Sequence, residues 1–274
     1  MNAQDVFAVK GSRSRFLVLI STTVVVVTLT ALGVTHHRGH SSESSPAPVT
    51  ATTSASPTDP TDLPGLPTTD IFGNRLELPS DPAGEPLPQD PTSRSDPSQP
   101  NYLTAAPAHL QWQRGWGGAA LPVSGSDGPT SIEAGMASGF ADTPQGAALA
   151  ACDALARAFA APEDVWRNVV RDRYIGGGEP LVDRIAQSRA ETPNAATYLV
   201  VPEGIRILPD YRPDFAVVQI AVRADSGWAY GNWPMVWHEG DWRVRVPDDI
   251  ESLWEPAVPL SSLIDFGSWK GTAS

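Results

Sequence analysis

Trp237-His238-Glu239-Gly240-Asp241-Trp242-Arg243-Val244 reads as two strand ends joined by a two-residue turn. Such tight hairpin loops need positive φ at one or both central residues, which Gly supplies without steric cost. In that register His238 faces Asp241, and Trp237 faces Trp242 as an aromatic cross-strand pair. Working outward, Asp241 to Val246 is the return strand and Trp228 to His238 the outgoing one. Pro234 inside the latter implies an edge position or a bulge, because Pro cannot donate to a ladder. Phe215 to Val222 is a longer apolar strand, and Ile205 to Leu208 and Tyr198 to Val201 are short candidates. Farther upstream, Ala119 to Val123 and Ile132 to Phe140 could add one or two more.

Before Pro193 the period is helical. Thr143-Pro144 is an N-cap followed by Pro at the first helical position, opening a helix from about Pro144 to Ala161. Ala148, Leu149, Cys152, Leu155, Ala156 and Phe159 follow helical spacing, so one face should pack on a core. Pro162 begins a second helix with Glu163 and Asp164 in its first turn, where negative charge suits the helix dipole. Its apolar stripe is Trp166, Val169 and Val170. Gly176-Gly177-Gly178 ends that unit, and a third helix over about Glu179 to Arg189 carries Leu181, Val182 and Ile185. Helices followed by antiparallel strands indicate an α+β fold, with the first helices covering the concave side of a curved sheet.

The rest of the chain divides by composition. Residues 1–15 form a weakly basic stub, with Lys10, Arg13 and Arg15 against Asp5. Phe16 to Val34 is a nearly uncharged apolar run. At about 1.5 Å rise per residue it matches roughly the 30 Å of a bilayer core, and the basic flank orients it N-in, C-out. Cleavage as a signal peptide at Ala31-Leu32-Gly33 is the competing reading, although the apolar run is longer than usual for one. Either way the remainder is exported: a single-pass protein of the cell membrane with a cytoplasmic N-terminus and an extracytoplasmic C-terminal domain.

Residues 35–100 hold thirteen prolines between Pro46 and Pro100 among Ser, Thr and Asp, which reads as a disordered tether. As a coil it would span about 45 Å. One apolar island, Asp70-Ile71-Phe72-Gly73-Asn74-Arg75-Leu76-Glu77-Leu78-Pro79 (residues 70–79), breaks it. The island is either a chance patch or a short hairpin that docks on the domain or a partner, since isolated hairpins are marginal in water. Residues 101–249 form the globular α+β domain. A C-terminal tail, 250–274, carries scattered apolar residues that either pack on the domain or serve as anchors for a partner.

The net charge of −12, carried by the part beyond the anchor, argues against direct nucleic-acid or anionic-membrane binding, which needs clustered Lys and Arg. Cys152 is the sole cysteine, so the exported fold has no internal disulfide, and within an Ala-rich helix it reads as a buried thiol. The residue types suited to acid–base work are His238, Asp241, Asp214 and Tyr230. His238 and Asp241 flank a tight turn and read as a turn-stabilising polar pair. His109 is a loop residue, and the glycine run lacks the Lys-Ser/Thr of a phosphate loop. His36, His37 and His40 beside the anchor could bind a metal ion adventitiously, but their place next to the apolar run puts them among the lipid headgroups. The sequence therefore assigns no catalytic residue, no cofactor and no metal, and points away from an enzyme.

The helices, the curved sheet and the Trp-x-Glu-Gly-Asp-Trp-Arg-Val hairpin together resemble the nuclear-transport-factor-2-like cone fold. Gly139-Phe140-Ala141-Asp142-Thr143-Pro144-Gln145-Gly146-Ala147-Ala148, Gly73-Asn74-Arg75-Leu76-Glu77-Leu78-Pro79 and Pro86-Leu87-Pro88-Gln89-Asp90-Pro91 are similar to a family of actinobacterial membrane-anchored proteins of unknown function associated with integrative and conjugative elements. The layout also resembles assembly subunits of type IV secretion and conjugation machines. That resemblance implies a membrane-anchored scaffold that binds envelope or conjugation proteins, with a homo-oligomer as the alternative form of that association. The alternative it leaves open is a small-molecule-binding domain using the cone's cavity.

Overall fold

The computed structural model describes residues 67–271. The anchor read at 16–34, the stub before it, His36, His37 and His40, and the tether through residue 66 lie outside the described residues. Among those described, no helix is long and apolar enough to cross a membrane.

The described residues open with a small antiparallel hairpin, β1 (Thr68–Thr69) and β2 (Arg75–Leu76), followed by a second, β3 (Gln111–Arg114) and β4 (Ala120–Val123). A third pairs β5 (Ser131–Glu133) with β6 (Met136–Ser138). Then come α1 (Pro144–Ala160), α2 (Glu163–Arg173), the short β7 (Tyr174–Ile175) and α3 (Gly178–Glu191). The main sheet takes β8 (Gly204–Ile207), β9 (Phe215–Arg223), β10 (Trp228–His238) and β11 (Asp241–Arg245), with β12 (Val258–Leu260) on the flank of β10. Its order is β7-β11-β10-β9-β8, all antiparallel except the β7–β11 edge. The fold is α+β: three helices among the described residues and a large curved sheet.

The diagnostic hairpin is as read. His238 pairs with Asp241 and Trp237 with Trp242 in the backbone register. Glu239 (φ 51°) and Gly240 (φ 81°) both sit in the left-handed region, the signature of a type I′ turn. The two indoles meet edge-to-face, centroids 5.4 Å apart.

Pro234 corrects its expectation. It is neither on an edge strand nor at a bulge but in the middle of β10, opposite Val217 of β9. The other side of β10 is shared, β12 pairing with Trp228–Tyr230 and β11 with Met235–His238. Pro234 falls between the two, so its missing N–H interrupts no ladder there.

Helix α1 is the axis of the core. The Thr143 hydroxyl accepts from Gly146 N at 2.9 Å and caps it. It was expected to bury one face, but it is buried almost all round, against the sheet on one side and β4 and α2 on the others. Small residues such as Ala147, Ala151, Ala154 and Ala158 allow that close approach. Asp153 and Arg157 go in with it, paired across one turn at 2.7 and 2.9 Å, while Arg157 Nη1 donates to Gly135 O.

Tyr198 to Val201 is not a strand. Ala195–Tyr198 is a 3₁₀ turn, and the chain beyond it bonds sideways, Leu199 O accepting from Ala120 N. At the other end, the residues from Thr68 onward already belong to the folded unit, ahead of the expected start near Asn101. Leu76 is buried, Glu77 exchanges backbone hydrogen bonds with Trp112 and Arg114, and Gln113 clasps both backbone groups of Glu85. Gln89 and Arg94 reach the carbonyls of Ser124 and Ser126. These Pro-rich residues combine local turn bonds, such as Gly84 N to Asp81 O and Ser93 N to Asp90 O, with bonds to the domain, such as Asp90 N to Gly125 O. The tail packs too: Leu253 and Trp269 are buried, and Trp269 donates to Thr104 O while its own carbonyl accepts from Trp112 Nε1.

Candidate functional site

The sheet face that meets α1 does not close at the far ends of β9 and β10. The inward residues there are Ile220, Val222 and Ala229, opposite the α1 residues Cys152, Leu155 and Ala156. Ala229 and Ala156 are too small to fill the space between sheet and helix. What remains is a cavity of about 580 Å³, floored by Trp233 and Trp112. That volume falls within the roughly 300–1,000 Å³ of small-molecule sites.

The mouth is built by three separate segments. The tip of the first hairpin contributes Ile71 and Phe72, the stretch after α3 contributes Tyr198 to Val200, and Pro256 and Ala257 approach from the tail. Ile71 is 50 %, Phe72 39 % and Tyr198 38 % exposed, and Val258, next to Ala257, is 38 % exposed. Among the described residues, four of the five large apolar side chains that remain exposed therefore ring this one opening or stand beside it; the fifth is Ile264. Apolar side chains concentrated at one rim mark a surface that something covers.

The rim is held by a chain of charges. Arg223, at the end of β9, lies 5.1 Å from the Phe72 ring centroid and donates to Glu203 at 2.7 Å. Glu203 also accepts from Lys270 at 2.8 Å, which ties in the tail. Burial works against the charged form of Glu203, but the bonds from Lys270 and Arg223 outweigh it and hold the carboxyl below its ordinary range. Inside, the walls are apolar. Burial pushes the Cys152 thiol up, and the neighbouring Asp153 carboxylate pushes it further. Trp233 contributes to the floor, and its Nε1 is buried with no hydrogen-bond partner among the described residues.

The four residues with acid–base side chains are scattered. His238 is half-exposed, its Nε2 lying 3.8 Å from Glu239. Asp241, its backbone partner, turns away into the core, where it accepts from Gly139 N, Phe140 N, Trp242 N and Arg173 Nη1. The turn-stabilising His238–Asp241 side-chain pair is thus replaced by a lock on the entry to α1. Asp214 is an exposed partner of Arg212, and Tyr230 lies against Phe266. None of the four lines the cavity. His109 takes a positive φ of 53° in a loop against Gly125. Of the residues that do build the site, the apolar island was the one visible signal; nothing in the sequence marked Trp233, Trp112 or Arg223.

A family model described as a domain of unknown function, DUF8175, matches residues 77–268. The chain belongs to the DUF8175 family. No curated protein and no solved structure matches it. The DUF8175 match takes in α1, the main sheet and most of the cavity wall, from Trp112 to Ala257, whereas the rim residues Ile71 and Phe72 precede it.

Proposed function

We propose that this protein is a binding module whose cavity takes up an apolar small molecule, and that it acts by binding rather than by catalysis. The observation that carries the reading is the cavity of about 580 Å³ with aliphatic and aromatic walls, whose mouth gathers most of the large apolar side chains exposed among the described residues. Burying such walls and rim under a ligand gains roughly 25 cal/mol per Å² of apolar surface. The arrangement suits the cone-like fold expected from the sequence, in which a curved sheet wraps a helix and leaves a pocket.

The test is displacement of a fluorescent apolar dye from the full-length protein, with Ala156→Phe as the filled-cavity variant. The wild type should bind the dye with saturation at one site, and the variant should remain folded and lose it. A wild type that binds no dye, or a variant that binds it unchanged, would overturn the reading.

A second reading is a protein-interaction scaffold at the cell envelope, anchored through residues 16–34 and serving a conjugation or secretion apparatus. The exposed Ile71, Phe72 and Tyr198 favour it, because aromatic side chains at a rim are common binding anchors. Phe72→Asp should then abolish capture of envelope proteins by the full-length chain. Unchanged capture would remove the rim from that role.

A further inference from the structure

Two charged side chains stand on the cavity lining, Arg223 and Asp225. The Arg223 guanidinium is placed by Phe72, whose half-exposed ring also lines the mouth and whose centroid lies 5.1 Å from the guanidinium carbon. The charge therefore sits at the opening. A guanidinium carries five N–H donors. Among the described residues only Nε is engaged, donating to Glu203 at 2.7 Å. The Arg223 side chain is 48 % exposed and that of Glu203 only 9 %, so the carboxylate lies beneath and the guanidinium outward. Glu203 also accepts from Lys270, so one carboxylate serves two cations and the trio keeps a positive charge. Asp225 forms no ion pair with Arg223 among the described residues.

The geometry points to a single-chain amphiphile with a carboxylate head: the hydrocarbon chain lies between α1 and the sheet, and the head stays at the mouth against the Arg223 guanidinium. This rests on the cavity-binding reading above and narrows it by naming the polar end of the ligand. The volume of about 580 Å³ equals about twenty liquid waters at roughly 30 Å³ each, which is room for a chain of eight or more carbons. Held at the rim, the head keeps part of its hydration and gains charge-assisted bonds from the free guanidinium donors. Carried to the apolar floor, it would lose its water without a counter-charge. A cationic head would meet Asp225 but also Arg223. The net charge of −12 repels anions at long range, yet that field is screened within about 8 Å at physiological salt, so the charges at the mouth decide.

The experiment titrates octanoate, octanol and octylammonium, three heads on one chain, into the full-length protein in phospholipid nanodiscs at neutral pH and physiological salt. Calorimetry reads the affinities, with empty discs subtracted. Octanoate should bind more tightly than octylammonium. Arg223→Gln should weaken octanoate about fivefold, the scale of a half-exposed ion pair, and leave octanol unchanged. If octanol weakens equally, Arg223 acts only by holding Phe72 and the head assignment is overturned. Octylammonium binding as tightly as octanoate overturns it as well, while the cavity reading stands because the chain still binds. If none of the three binds the wild type, the cavity reading falls and the assignment with it. Should Arg223→Gln fail to fold, the order of the two charged probes on the wild type decides by itself.

Discussion

Val201 N donates a 3.0 Å hydrogen bond to Asp70 Oδ2, joining residues 131 positions apart in the chain. The same carboxylate closes the hairpin turn beside it, accepting from Phe72 N and Asn74 N through Oδ1 and from Asn74 Nδ2 through Oδ2. One side chain thus shapes the loop that carries Ile71 and Phe72 and docks it against the far side of the cavity mouth. Val201 is fully buried, so its N–H has no water to fall back on.

Asp70→Ala should therefore destabilise the protein by about 2–3 kcal/mol, read from urea denaturation of the full-length chain. An orphaned buried N–H accounts for roughly 1–3 kcal/mol of that, and the lost turn bonds for the rest. Asp70→Asn should cost less, because its remaining oxygen can serve one set of donors. A loss below about 0.5 kcal/mol, in the range of ordinary surface substitutions, would mean the hairpin is not coupled to the domain.

Glu203 sets a pH dependence whose sign can be worked out. Its folded pKa lies below the ordinary 4.5, because Lys270 and Arg223 donate to it despite its burial. As pH falls, the unfolded chain takes up the proton first, so the contribution is complete above about the ordinary value and lost as pH drops through the folded one. Glu203→Gln should remove that component. The stability difference between wild type and variant should be largest at neutral pH and shrink below pH 4.5. A difference that is flat with pH would show that Glu203 is not carrying the rim.

Much of the fold was legible because its signals are local. The cap at Thr143, the Pro that follows it and the Glu239-Gly240 turn each act over four residues or fewer, and each is found where expected. What was not legible depends on distant partners. Pro91, Pro97 and Pro100 look like tether by composition, yet their neighbours Gln89 and Arg94 bond to Ser124 and Ser126 across the fold. Pro234 is tolerated because β11 and β12 share the far side of β10, a fact of assembly and not of sequence period. The cavity was invisible for the same reason: Ala156 reads as ordinary core and Ala229 as one position of a strand, and only their juxtaposition leaves space.

Arg173 and Asp241 bridge α2 to the hairpin at 2.8 Å, with Arg173 Nη2 also donating to Trp242 O. Both side chains are buried. Asp241→Ala should cost about 3–5 kcal/mol, because it leaves the buried Arg173 guanidinium with the more distant Asp172 carboxylate at 3.8 Å and frees Gly139 N and Phe140 N at the entry to α1. Arg173→Met on that background should recover part of the loss by removing the buried charge. Thermal unfolding of the two variants reads both effects, and a double variant no better than Asp241→Ala would show that the backbone contacts, not the ion pair, dominate.

Cys152 lets the cavity be followed chemically, since it is the sole cysteine and every thiol counted belongs to it. It lines the wall, yet burial pushes its thiol up, away from the reactive thiolate. A charged aromatic disulfide reagent should label the folded full-length protein negligibly at neutral pH and stoichiometrically in denaturant. The slow labelling of the folded state should accelerate as pH rises, because each step up in pH enlarges the thiolate fraction. Ala156→Phe, which fills the space beside Cys152, should slow it further. Rapid stoichiometric labelling of the folded protein at neutral pH would mean that the wall opens to water, and a cavity that wet would not hold an apolar ligand.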